Sequence, residues 1–142
     1  MFVLLVLYFL EINKKIPDYN KNKKIYFSDP FIYHVFNRKI FFKENEINPS
    51  LIESIVISNL SRLTYENSFP NIYYWKNKKE VDCLLKIKNE IFPFEIKYQN
   101  KINKEDYKGL YHFNKGILVT KDTLTIGEKY SAIPAHLILG II

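Results

Sequence analysis

The sequence predicts a mixed α/β layer, a central sheet carrying helices, on three observations. From about Leu51 onward the chain reads helix, strand, strand, strand, helix, strand. Glu80–Lys88 (EVDCLLKIK) and Ile91–Tyr98 (IFPFEIKY) alternate apolar and polar residues with the period of a strand. Between Ser50 and Tyr65, Ile52, Ile55, Val56, Asn59 and Leu63 recur at helical spacing.

Each element has a local cause. The apolar run at Met1–Ile12 has no clear period and forms an element of undetermined type. A polar, basic loop (PDYNKNKK) follows, then a short strand at Ile25–Phe27. Asp29-Pro30 has the chemistry of an N-cap followed by proline at the first helical position, and predicts a helix to about Phe41 with Ile32, Val35 and Phe36 inward. Lys43–Asn48 is a polar connection. Ser50-Leu51-Ile52-Glu53 fits a capping box that opens the next helix. Asn67–Asn71, with Pro70, separates that helix from a short aromatic strand at Ile72–Trp75. Asn103 is placed to cap a helix with Tyr107, Leu110 and Tyr111 inward, ending at Gly116. Gly116–Thr120 is an apolar strand, and Ile133–Ile142 is a strand or a short helix after Pro134.

Composition bounds the function. A chain of 142 residues with 47% hydrophobic and 16% aromatic content is one domain with a buried core, not a disordered segment. The 21 basic and 15 acidic residues give +6, which suits a polyanionic partner such as DNA. A chain this rich in Ile, Lys, Asn and Tyr also reaches a high isoelectric point for no functional reason. Cys83 is the single cysteine, so there is no intrachain disulfide and no thiolate metal site, and a reducing cytoplasm is the expected compartment. His34, His112 and His136 lack metal-ligand spacing. The N-terminal apolar run is too short to span a bilayer and lacks the flanks of a secretory signal, so no membrane partner is expected.

The two alternating strands place charges together. With Asn89-Glu90 as the turn and Asn89 supplying a positive φ, Val81 meets Tyr98, Cys83 meets Ile96, Leu85 meets Phe94 and Ile87 meets Phe92, all on one apolar face. The other face then pairs Asp82 with Lys97 and Leu84 with Glu95, and makes Asp82 and Glu95 diagonal neighbours. Two adjoining carboxylates repel unless a cation intervenes. Mg²⁺, or Mn²⁺ in its place, takes one or two carboxylates and fills its shell with water and phosphate oxygens. Asp82 and Glu95 supply those carboxylates, and Lys97 would orient an attacking water or stabilise charge on phosphorus. Glu53, on the preceding helix, either completes the coordination sphere or is the acid of its own capping box. Asp82 with Lys97 also fits a plain cross-strand ion pair on a solvated face. Tyr73, Tyr74 and Trp75 beside Lys76, Lys78 and Lys79 suit base stacking or, equally, a core strand with a lysine-rich turn.

The order Glu53, Asp82, Glu95-x-Lys97 is similar to that of the PD-(D/E)xK nuclease superfamily, the restriction-endonuclease-like fold. More narrowly, KIYFSDPFIYHVF, LIESIVISNL, IYYWKNKKEVDCLLKI, FPFEIKYQNKINKEDYKGLYHFNKGILVTKDTL and IPAHLILGII resemble the uncharacterised C-terminal domain that follows the ATPase module in prokaryotic, especially archaeal, AAA-type ATPases. The resemblance implies a restriction-endonuclease-like mixed sheet, an antiparallel meander plus helical crossover flanked by helices, over residues 24–142. It implies that residues 1–23 are the remnant of a winged-helix or linker segment. Asp82, Glu95 and Lys97 would be its metal and catalytic residues and Glu53 its helix acid. It further implies Mg²⁺-dependent cleavage of DNA, or else a catalytically inactive module that binds nucleic acid or docks to an ATPase partner; a homodimer stays open. The chain has no GxxxxGK[ST] loop, so it does not bind ATP by a P-loop.

Overall fold

In the computed structural model, residues 4–29, 32, 48–66 and 69–142 are described. The helix predicted from Asp29-Pro30 to Phe41 lies outside the described residues, as does nearly all of the Lys43–Asn48 connection. The elements are β1 (Leu4–Glu11), β2 (Ile16–Asp18), β3 (Lys24–Phe27), α1 (Pro49–Arg62), β4 (Tyr65–Glu66), β5 (Phe69–Pro70), β6 (Ile72–Lys76), β7 (Glu80–Ile87), β8 (Glu90–Lys97), β9 (Gly116–Thr120), β10 (Tyr130–Pro134) and α2 (Ala135–Ile141). Two 3₁₀ turns, Lys104–Tyr107 and Leu110–His112, cross from β8 to β9.

The chain folds as a mixed α/β layer. One eight-stranded sheet runs β10-β9-β8-β7-β6-β1-β2, with β3 also on β1, and β4–β5 form a separate two-stranded ladder. β6, β7 and β8 form an antiparallel meander, and β9 pairs parallel to β8 and β10 parallel to β9. The apolar N-terminal run is strand β1, parallel to β6 through Tyr8–Tyr73 and Phe9–Tyr74 and antiparallel to β2 and β3.

Two packed faces make the core. On one, Ile52, Val56, Ile57 and Leu60 of α1 and Ala135 and Ile138 of α2 lie against Leu5, Leu7, Cys83, Leu85, Phe94, Ile96 and Val119. On the other, Leu110 lies against Leu10, Trp75, Val81, Leu84, Leu118 and Ala132. Leu7, Val56, Ile57, Leu84, Leu110, Leu118 and Val119 each show 0% exposure, and each such side chain contributes about 1.5–3 kcal/mol of burial free energy.

Four local expectations are corrected. Asn48, not Ser50, caps α1: its side chain accepts the Ser50 N–H and Pro49 takes the first turn, so the first turn holds no acid and Glu53 is not a capping-box residue. On α1, Ile52 and Val56 are buried as expected, but Leu63 is 52% exposed and Leu51, Ile57 and Leu60 join the core. The segment after Asn103 is two 3₁₀ turns rather than an α-helix. Asn103 and Asp106 do form a reciprocal cap, but only Leu110 of the three expected inward residues is buried, and Tyr111 is 52% exposed. Fourth, the β7–β8 turn consists of Lys88 and Asn89, because Ile87 pairs with Glu90. Lys88, with φ 55, takes the left-handed conformation that the sequence reading gave to Asn89. The register therefore moves by two positions: Cys83 faces Phe94 and Leu84 faces Pro93. A two-residue slip preserves strand parity, which is why Cys83, Leu85, Phe94 and Ile96 still share a buried face.

Candidate functional site

The site begins with an extra residue in β7. Tyr73 pairs with Leu84 and Trp75 with Val81, so Tyr74 alone stands opposite both Asp82 and Cys83. This is a β-bulge, a device that re-aims a side chain and recurs beside active sites. It moves Val81 to the Leu84 side of the sheet, where a strict alternation would put it with Cys83. The corrected register brings Asp82 level with Glu95, one step beyond the Cys83–Phe94 pair.

At this level the backbone ladder gives way to carboxylates. The Ile96 N–H donates to Asp82 Oδ2 at 2.9 Å, and the Asp82 N–H donates to Glu95 Oε2 at 3.3 Å. Asp82 and Glu95 are 7% and 5% exposed, so these bonds lie where water competes little. Lys97, two residues beyond Glu95 on β8, places Nζ 2.6 Å from Glu95 Oε1. It does not pair with Asp82, because the register shift hands that position to Glu95.

A second lysine completes the cluster. Lys24 Nζ lies 2.9 Å from Asp82 Oδ1, 2.5 Å from Glu80 Oε1 and 3.5 Å from Glu53 Oε1. Tyr26 Oη donates to Glu53 Oε1 at 2.6 Å. Glu53 thus joins the network through Tyr26 and Lys24, and it does not line the cleft onto which Asp82 and Glu95 open. The sequence reading missed Lys24, Tyr26 and Glu80. The available signal was the alternation Lys24-Ile25-Tyr26, which puts a cation and a phenol on one face of a short strand.

That cleft has a volume of about 250 Å³ and is lined by Lys79, Glu80, Asp82, Glu95, Lys97, Glu105, Asp106 and Gly109. Gly109 allows its wall to close. A Cβ there would lie 2.6 Å from the Glu80 carbonyl oxygen and 3.1 Å from Val81 Cγ2. The carbonyl belongs to β7 and cannot yield, so Gly109→Ala is expected to lower stability by about 2 kcal/mol, measured by denaturant unfolding.

Electrostatics mark Glu95 as the labile group. Burial and the adjacent Asp82 charge push its pKa up to about 7, against the opposing pull of Lys97. Burial and the Asp82 charge also raise Glu53 above the usual carboxylate range. Burial opposes the charge on Lys24, but Asp82 and Glu80 outweigh it and hold the ammonium well above the usual lysine range. Burial likewise opposes the Lys97 charge, and Glu95 overcomes it.

The donor set suits a small hard cation. Asp82 and Glu95 offer oxygen ligands on one side of the cleft, and their mutual repulsion favours a positive ion there. Among the described residues no group of three or more His, Cys, Asp or Glu side chains is gathered to hold a metal. An ion at Asp82 and Glu95 would therefore complete its shell with water or substrate oxygens, as Mg²⁺ does readily. Among the described residues no helix is long and apolar enough to cross a membrane.

The sequence profile of a domain of unknown function (DUF4143) matches residues 50–138. No curated protein and no solved structure matches the chain.

Proposed function

The chain belongs to the DUF4143 domain family, and on that premise we propose that it is a nuclease-like module of the restriction-endonuclease-like, PD-(D/E)xK kind, which hydrolyses DNA phosphodiesters with Mg²⁺. The observation that carries the reading is the hydrogen-bonded juxtaposition of Asp82 and Glu95 at the ends of β7 and β8, with Lys97 on the same cleft. Support also comes from the element order. A helix, three antiparallel strands and a parallel fourth are arranged so that all three side chains reach one end of the sheet. The net charge of +6 suits a polyphosphate substrate.

Asp82 and Glu95 would hold the ion. Mg²⁺ or Mn²⁺ supplies Lewis acidity toward the phosphoryl oxygen and lowers the pKa of water. Lys97 stays protonated beside Glu95, so its N–H donors orient the attacking water and stabilise charge developing on phosphorus. Ile96 N–H and Lys24 fix the Asp82 carboxylate before substrate arrives.

The test is nicking of supercoiled plasmid in Mg²⁺ or Mn²⁺, with thermal melting in the same buffers. The wild type is expected to nick and to melt about 5–10 °C higher with saturating divalent ion. Asp82→Asn should lose both effects, and Lys97→Met should lose nicking by at least about 10²-fold while keeping the thermal shift. A wild type that neither nicks nor gains stability from divalent ions sinks the proposal.

One observation favours a second reading. The helix acid Glu53 is engaged by Tyr26 and Lys24 rather than facing the cleft. A catalytically silent module that binds nucleic acid or docks to an ATPase partner would tolerate that arrangement. Salt dependence separates the two partners: phosphate contacts give affinity that falls steeply with salt, and protein docking does not.

A further inference from the structure

We infer that Lys24 is the built-in counter-cation that holds Glu53, Glu80 and Asp82 together and fixes the Asp82 carboxylate, so that the centre takes its metal only at the cleft-facing pair Asp82 and Glu95. The last clause rests on the metal reading above; the first does not.

The contacts show the division of labour. Lys24 Nζ reaches three carboxylates, at 2.5, 2.9 and 3.5 Å. Among the described residues no other ammonium spans them. Lys76 touches only Glu80, from a side chain 64% exposed, and Lys97 touches only Glu95. Lys24 approaches Asp82 at Oδ1 but does not line the cleft, so it occupies the side of the carboxylate turned away from substrate. Ile96 N–H holds the other oxygen, Oδ2. The Asp82 carboxylate is thereby pinned from two directions.

The position of the ammonium is built rather than incidental. Lys24 pairs with Leu7 on β1, whose side chain is fully buried, so a strand register sets where its stem begins. Two residues on, Tyr26 donates to Glu53 and draws that acid toward the same Nζ. The Lys24 side chain is 20% exposed, which limits the screening that mobile ions can provide. Without it, three partly buried acids would face one another with no shared counter-charge.

The experiment compares wild type with Lys24→Met, melted in EDTA and in Mn²⁺ at fixed ionic strength. In EDTA the variant is expected to melt on the order of 10 °C below wild type. Mn²⁺ should return part of that loss by neutralising the acids, a larger upshift than wild type shows. Lys24→Met/Glu53→Gln should recover part of the loss in EDTA. A loss that Mn²⁺ does not return marks Lys24 as a packing residue and overturns the inference, as does an unchanged melting point in EDTA.

The two readings fail separately. Mn²⁺ rescue of the variant with no Mn²⁺ effect on wild type would leave Lys24 as the resident cation and remove the metal from Asp82 and Glu95. A wild-type shift with an equal or smaller one in the variant would do the reverse. Should Lys24→Met not fold in EDTA, refolding yield decides: a yield restored by Mn²⁺ supports the inference, and one that stays low overturns it.

Discussion

Asp82→Ala is expected to cost about 3 kcal/mol of folding free energy, read as a shift of the urea midpoint at constant slope. Two buried donors lose their acceptor. The Ile96 N–H, bonded at 2.9 Å, lies beyond Cys83–Phe94, where the β7–β8 ladder ends, so its acceptor toward β7 is the Asp82 carboxylate. An unsatisfied buried N–H costs about 1–3 kcal/mol. Lys24 loses one of its three carboxylates and keeps Glu80 and Glu53, so its penalty is partial. Relief of repulsion on Glu95 and Glu53 returns part of the total, which places the expectation at the lower end of the range for a broken buried pair. Asp82→Asn keeps an acceptor for one of the donors and should cost less. In both variants the Glu95 pKa should fall, because the charge that helps to raise it is gone; carboxyl chemical shifts against pH measure this.

Glu95 is expected to give the fold an inverse pH dependence. Its pKa in the folded protein is about 7, above the 4.5 of an unperturbed glutamate. A carboxyl whose folded pKa is the higher one binds its proton more tightly in the native state, so stability falls as pH rises. Its contribution is fully present below about pH 4.5 and is lost as pH climbs through about 7. At 1.36 kcal/mol per pH unit this amounts to about 3 kcal/mol. Glu53, raised for the same causes, acts in the same direction. The measurement is urea stability of wild type and Glu95→Gln from pH 4 to pH 8. Their difference should grow steadily in favour of the glutamine variant above pH 4.5. A flat difference would show that the carboxyl is not perturbed.

Much of the meander was legible because period-2 alternation and helical spacing are local signals. Glu80–Lys88, Ile91–Tyr98 and Gly116–Thr120 each fall within a residue or two of strands β7, β8 and β9. What escaped was set by tertiary demands. Alternation cannot show a bulge: strict period 2 puts Val81 on the face of Cys83, whereas it packs with Leu84. Turn chemistry favoured Asn89 for the left-handed position, and the chain places Lys88 there. That substitution moved the register by two positions and exchanged the expected partner of Asp82 from Lys97 to Glu95. The three residues Asp82, Glu95 and Lys97 still gather on one cleft, because parity survives a two-position slip. Glu53 was readable as a helix acid, but its tie to Tyr26 and Lys24 spans too much sequence for any local pattern.

Strand β1 gives the molecule an obligatory partner for its own middle. Residues 50–138 carry the family match, yet the open side of β6 is closed by Tyr8 and Phe9 from far upstream. An excised fragment beginning at Asn48 would bare a row of unsatisfied amides and carbonyls beside Tyr73 and Tyr74, and with it a template for strand-to-strand aggregation. The leading hairpin is thus a guard on solubility as well as the carrier of Lys24.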